Sequence, residues 1–347
     1  MGAEPESDEP TFERSGTVRP LHEQAEPKAG QSDNAPRQAA SPRSERAEPM
    51  TRRDVYTRPM AAGRVADGPM SKLVSWAKLH LTSELHRREV ELDAQLGTLP
   101  GVTRANTIAV LSPKGGVGKT TSTFVLGNVL ASRLKLRVIA IDANPDFGTL
   151  AALAPDELRS QRSLADLIGA QSRLDSAAQL KPYVSTLPTG LHLLGAPARA
   201  EVMAQMSPGL YGQLLSLLGR FYEVILLDLG TGITDPIAQF AVESADQMVV
   251  ITTPEWVTAA NVLGALRYLS NDNATLVLNQ APAKNRGNRE VIEANFRRQS
   301  LSTRVTLPYD ERLRTMLDSG SYDLDELGRG TRVPIKELGL AVGRELV

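Results

Sequence analysis

The chain of 347 residues has no cysteine, which removes disulfides, thiolate metal sites and prenylation together. Charge of one sign is also missing: 39 basic residues face 40 acidic ones, so whole-chain electrostatics select no partner. Nowhere do 18 apolar residues run together, so no stretch is expected to span a membrane as a helix. The opening Met1-Gly-Ala-Glu-Pro-Glu is acidic and lacks the apolar core of a signal peptide. Glu6 stands where a myristoylation pattern requires Ser or Thr. These absences lead us to expect a soluble, cytoplasmic protein.

Aromatic residues make up only 4% of the chain, and residues 1–69 hold just Phe12 and Tyr56. Nine of the 22 prolines fall in that segment, among charged residues, Ser and Gln. Such a stretch cannot bury enough apolar surface to offset its chain entropy, so residues 1–69 are expected to be a disordered tail. Two roles stay open for it: a solubilising tail, or a docking arm for a partner. Residues 70–100 are expected to be a connecting amphipathic helix, running from Ser71 to Leu96 between Pro69 and Gly97. Leu73, Ala77, Leu81 and Leu85 form one stripe, flanked by Trp76 and Leu92. That stripe suits packing on the following domain, a membrane surface, or a second copy.

What the sequence does contain, from Asn106 onward, is alternation. Short apolar runs at Thr107–Leu111, Arg137–Ile141, Leu191–Leu194, Val224–Leu227, Gln247–Thr252 and Ala274–Leu278 read as strands. Helical stretches lie between most of them, including Pro208–Phe221 and Thr258–Leu269. Continuous apolar strands separated by helices predict an α/β, doubly wound and mostly parallel sheet over residues 101–347, with ligand at the strands' carboxyl ends.

The first strand runs into Leu111-Ser-Pro-Lys-Gly-Gly-Val-Gly-Lys-Thr-Thr121, followed by a helix from Thr120 to Arg133. A strand that turns through glycines into a helix N-terminus is a phosphate cradle, because the loop amides and the helix dipole converge on one spot. Lys119 would reach the β- and γ-phosphates and the Thr120 hydroxyl would hold Mg²⁺. The usual Walker A pattern places a glycine where this chain has Pro113. It carries instead a second lysine, Lys114, directly before Gly115 and Gly116.

Lys114-Gly115-Gly116-Val117-Gly118-Lys119-Thr120 resembles the deviant Walker A of the MinD/ParA superfamily of dimerising ATPases, and the resemblance runs from about Asn106 to about Arg314. It implies an ATP- and Mg²⁺-dependent P-loop ATPase of slow turnover, in which Lys114 crosses to the partner's nucleotide in an ATP-bound homodimer. The absence of cysteine excludes the superfamily's iron–sulfur branch. Asp142-Ala143-Asn144-Pro145-Asp146 matches the family's switch I, usually read D-x-D. Asp142 fits the first carboxylate, Asn144 replaces the second, and Asp146 either substitutes for it or is a turn residue. Asp228-Leu229-Gly230-Thr231-Gly232 matches the Walker B carboxylate and the switch that senses the γ-phosphate. The phosphate-binding set is Lys114 to Thr121, with Thr121 at its end, and the metal set is Thr120, Asp142 and Asp228. Asn279, Pro308 and Asp310 match the segments that close on the adenine. Asp235 is expected to cap a helix over Pro236–Val242.

The implied output is localisation or assembly of a partner protein, in division or in a polar or secretion apparatus. Tail and helix ahead of the ATPase domain resemble actinobacterial ATPases linked to specialised secretion. The alternatives are a DNA-partitioning ATPase and a nucleotide-bound scaffold that barely hydrolyses. Lys284, Arg286, Arg289, Arg297, Arg298 and Arg304 would serve DNA binding, but Glu290 and Glu293 interrupt them, so a solvated helix face is the favoured reading. A short helix over Ile335–Val347, with Lys336 and Arg344 balanced by Glu337 and Glu345, speaks against a membrane-targeting tail, although peripheral contact with the inner face of the plasma membrane stays open.

Overall fold

A computed structural model describes residues 69–144, 148–266, 273–281, 286–297 and 301–346 of the chain. The tail expected over residues 1–69 falls almost wholly outside them. So do Asp146, Lys284 and Arg298, and the side chains of Leu73, Trp76, Ala77 and Leu81.

A long helix, α1 (Pro69–Gly97), precedes β1 (Asn106–Leu111), α2 (Lys119–Arg133) and β2 (Val138–Ala143). Short helices α3 (Leu164–Ala170) and α4 (Ala177–Leu180) lead to β3 (Ser185–Thr186) and β4 (His192–Leu194). After α5 (Ala200–Met203) and α6 (Pro208–Leu218) come β5 (Val224–Leu229), α7 (Pro236–Ser244), β6 (Gln247–Thr252) and α8 (Trp256–Leu266). The chain ends with β7 (Ala274–Ala281), α9 (Arg286–Phe296), β8 (Thr303–Pro308), α10 (Glu311–Ser319) and α11 (Arg329–Gly343).

The strands form one sheet in the order β3-β4-β2-β5-β1-β6-β7-β8. Every pairing is parallel except β3 with β4, as the apolar runs predicted. β5 inserts between β1 and β2, and β6 is laid on the other side of β1, so the strand order reverses beside the glycine loop. That reversal opens a crevice at the carboxyl edge. Alternation along β2 and β5 sends Ile139, Ile141, Ile225 and Leu227 to one face, under α3, α6, α7, α8 and α9. Val138, Ala140, Val224 and Leu226 go to the other face, under α2, α10 and α11.

Two elements differ from expectation. β8 was not anticipated: Val305 and Leu307 are buried and alternate with less buried Arg304 and Thr306, the pattern of an edge strand covered on one face. The C-terminal helix begins at Arg329, six residues before the expected Ile335, with Pro334 inside it. Its glycines Gly339 and Gly343 reflect close packing. A Cβ on Gly339 would lie 2.3 Å from Val129 Cγ1 of α2. Val333, Ile335, Leu338, Leu340 and Val342 are buried, so the apolar side of α11 is spent inside the domain, not presented as a targeting tail.

α1 packs on α11. Leu92 and Leu96 are buried against Val333 and Leu340, each worth about 1.5–3 kcal/mol relative to exposure. Beside them Glu89 accepts hydrogen bonds from Arg329 Nε at 3.0 Å, Lys336 Nζ at 3.0 Å and Arg332. Lys336, only 2% exposed, also reaches Asp93 Oδ2 at 2.8 Å. Packing on the following domain is seen for Leu85, Leu92 and Leu96, the part of the helix whose side chains are described. Among the described residues no helix is long and apolar enough to cross a membrane.

Candidate nucleotide site

The glycine loop leaves β1 and enters α2 through two residues that need left-handed backbone, Gly116 with φ 76° and Gly118 with φ 89°. A side chain is disfavoured at such φ. At Gly118 it is also blocked, because a Cβ would stand 2.2 Å from Asn279 Nδ2. Gly118 is the N-cap of α2, and no side chain caps the helix. The first bond in this turn runs from Ser122 N to Gly118 O at 2.9 Å, so the amides of Lys119, Thr120 and Thr121 point out of the helix end. An anion completes that geometry without further groups.

Lys119 is half-buried and its Nζ lies 3.4 Å from the carbonyl oxygen of Lys114. Burial lowers its pKa, and the nearby Asp228 opposes that shift. Lys114 is exposed, with its backbone amide donating to Ser112 Oγ at 3.3 Å. The loop therefore folds the second lysine inward and leaves the first on the surface.

Asp142 and Asp228 are register partners on the adjacent strands β2 and β5, 0% and 1% exposed. Alternation directs both toward the α2 face. Asp228 accepts from Thr123 Oγ1 at 3.3 Å and from the Thr120 hydroxyl. Burial raises its pKa to about 7, the Thr120 bond pulls it down, and the Asp142 charge pushes it up. Asp142 accepts from Leu150 N at 2.9 Å and Asn144 N at 3.3 Å. Burial still raises its pKa to about 6. Two buried carboxylates side by side call for a cation. Among the described residues no group of three or more acid or histidine ligands exists. Two carboxylates with the Thr120 hydroxyl suit Mg²⁺, which keeps several waters and takes phosphate oxygens for the rest of its shell.

Beyond the loop lies a cavity of about 430 Å³, lined by Gly118, Thr121, Asn279, Pro308, Tyr309 and Asp310 among others. Asn279 Nδ2 donates to Val117 O at 2.8 Å, and Gln280 Nε2 to Gly116 O at 3.2 Å, which tie the end of β7 to the phosphate loop. Asp310 caps α10 through Arg312 N at 2.8 Å and accepts from the Thr331 hydroxyl. The expected base-side residues thus line one cavity, with Asn279 and Asp310 also holding the surrounding framework. Asp235 caps α7 as expected, accepting from Ile237 N at 2.8 Å.

The structure brings Lys119, Thr120, Asp142 and Asp228 together and places Lys114 at the surface beside them; Asp146 lies outside the described residues. Sequence reasoning missed Thr123, one turn after Thr120 on the same helix face. It also missed Gly148, whose Cβ would fall 2.2 Å from the Asp142 carboxylate. Of the basic residues considered for DNA, Arg304 donates to Phe296 O at 3.2 Å and Arg297 lies 4.0 Å from Glu293.

The fold and the glycine loop are those of the P-loop class. Residues 105–271 match the model of an AAA domain family. The chain is 30% identical over 165 residues to the ESX-1 secretion-associated protein EspI of Mycobacterium tuberculosis, covering 48% of this chain and 24% of that protein. It is 30% identical over 179 residues to a putative septum site-determining protein MinD of Emiliania huxleyi, covering 50% of this chain and 62% of the relative. The chain thus spans about a quarter of EspI and under two thirds of that MinD. A crystal structure of a ParA family ATPase from Chlorobium tepidum TLS superposes with TM-score 0.58 at 23% identity, covering 68% of this chain and 98% of that one. The chain is thus similar, over about half of its length, to proteins of the MinD/ParA kind, and it shares the fold of the ParA family ATPase.

Proposed function

We propose that this protein binds ATP with Mg²⁺, closes into a homodimer while ATP is held, and hydrolyses it slowly. The cycle would control the localisation or assembly of a partner protein. The observation that carries the reading is the division of labour between two lysines: Lys119 is folded into the phosphate cradle, whereas Lys114 is exposed at its rim. A charge on a long flexible stem suits contact with a phosphate in a facing subunit. The uncapped amides of Lys119 to Thr121 hold the phosphates, and Thr120, Asp142 and Asp228 are the residues that would hold the metal. Mg²⁺ supplies neutralisation of phosphate charge. Burial raises the pKa of both Asp142 and Asp228, and a cation held between them would favour their ionised forms.

Likeness to a protein named for ESX-1 secretion favours a secretion apparatus as the setting over chromosome partition. The bond from Arg304 to Phe296 O points the same way, since a phosphate-binding stripe needs free cations. Light scattering tests the reading: the mass should rise with ATP and Mg²⁺, and Lys114→Ala should abolish the rise. A monomer under every nucleotide condition would overturn the dimer.

A further inference from the structure

Tyr211, on α6, is 1% exposed and its buried hydroxyl has no hydrogen-bond partner among the described residues. A buried hydroxyl left unsatisfied is destabilising, and native structures keep few such groups without a reason. The topology places this one close to the nucleotide site. α6 leads into the parallel strand β5 and so runs antiparallel to it, which puts the first turn of α6 at the carboxyl edge of the sheet. α7 leaves β5 at that same edge, capped by Asp235. Tyr211 shares its core cluster with Ile141, Ala143 and Leu229, with Ile233 packed against it. That cluster is on the face opposite Asp142 and Asp228, so the phenol sits beneath the strand ends and not beside the metal carboxylates. Burial, and then the charges of Asp142 and Asp235, push its pKa upward, which keeps the hydroxyl a donor.

Gly230–Thr234 joins the buried end of β5 to Asp235, the cap of α7 whose charge reaches the Tyr211 hydroxyl. Thr231 and Gly232 are exposed and Ile233 is half-buried, so the segment is not buried in the core. We propose that Tyr211 is a positioning residue whose hydroxyl is satisfied only in the nucleotide-bound state, by the backbone of Gly230–Thr234 as that segment closes on the terminal phosphate. A donor orphaned in one state and bonded in the other biases the equilibrium toward the second. The inference rests on the ATP-binding reading above.

Tyr211→Phe removes one oxygen and keeps the packing. Three measurements decide the matter: thermal unfolding without nucleotide, hydrogen exchange of the 230–235 amides with and without Mg²⁺–ATP, and single-turnover phosphate release. The nucleotide-free variant should unfold at the wild-type temperature or above it, because no bond is lost. ATP should protect the 230–235 amides in wild type and protect them roughly 10-fold less in the variant, with phosphate release slowed by about the same factor, the worth of one hydrogen bond. A variant less stable without nucleotide would show that the hydroxyl is already bonded and would overturn the proposal. Wild-type protection and turnover in the variant would overturn it too. Absence of ATP-induced protection in wild type would bring down the ATP reading along with it, whereas a failure confined to the comparison with Tyr211→Phe falls on Tyr211 alone.

Discussion

Replacing Glu89 by glutamine tests what holds α1 to the domain. The carboxylate is 9% exposed and bonded to Arg329, Arg332 and Lys336. Burial by itself would raise its pKa, but the bonds from Arg332 and Lys336 outweigh burial and hold it at about 2, against an ordinary 4.5. That gap is worth about 3 kcal/mol. A second route gives a similar figure. Glutamine leaves the 2%-exposed Lys336 with Asp93, which is 46% exposed, as its remaining paired carboxylate, and breaking a buried ion pair costs about 3–5 kcal/mol. The sign follows from proton binding. The folded state holds fewer protons on Glu89 than the unfolded one, so the contribution is complete above about pH 4.5 and is lost as pH falls toward 2. Urea unfolding of wild type and Glu89→Gln should therefore differ by about 3 kcal/mol at pH 7, and the two curves should converge between pH 4.5 and 2.5. A difference below about 1 kcal/mol at pH 7, or one that persists unchanged at pH 3, would refute the argument.

Two further outcomes follow from the site. Gly148→Ala should weaken Mg²⁺-dependent ATP binding at least 10-fold while the protein stays folded, since the new methyl must displace the Asp142 carboxylate it would otherwise meet at 2.2 Å; calorimetry of ATP binding with Mg²⁺ and with EDTA checks this. Asn144→Asp should accelerate single-turnover phosphate release, on the order of 10²-fold for a restored carboxylate near the attacking water, while Asp146→Ala leaves the rate unchanged. The reverse pattern would mean that the carboxylate has moved along the loop and that slow turnover has another cause.

The sequence disclosed the site where its chemistry is contiguous. Lys119, Thr120 and Asp228 announce themselves because a glycine loop and a strand-end acid are local patterns, legible without knowing what packs against them. The buried strands were legible for a related reason: β1, β2, β5, β6 and β7 are covered on both faces, so each holds a run of adjacent apolar residues ahead of any polar residue at its carboxyl end. β8 is an edge strand whose alternating Arg304 and Thr306 dilute that signal, and the surrounding arginines read more readily as a charged surface. α11 was shortened because Pro334 disfavours helix at the residue before it. Yet α2, α1 and the sheet supply enough contact to carry the helix through.

The rest of the site was hidden because it depends on contacts far apart in the chain. Asn279 holds Val117 from 162 residues away, and neither residue type signals that bond. Gly148 and Gly339 look like flexible loop and helix-breaking residues until the structure shows what a Cβ would strike: a carboxylate in the first case, Val129 in the second. Asn144 makes the point for polar groups. In sequence it is a departure from D-x-D, a missing charge. In the structure its backbone amide donates to Asp142 Oδ1, a contact that any residue but proline would make there. That backbone bond to Asp142 does not depend on which side chain stands at 144. The Asn144→Asp rate measurement therefore asks about hydrolysis with the backbone hold on Asp142 unchanged.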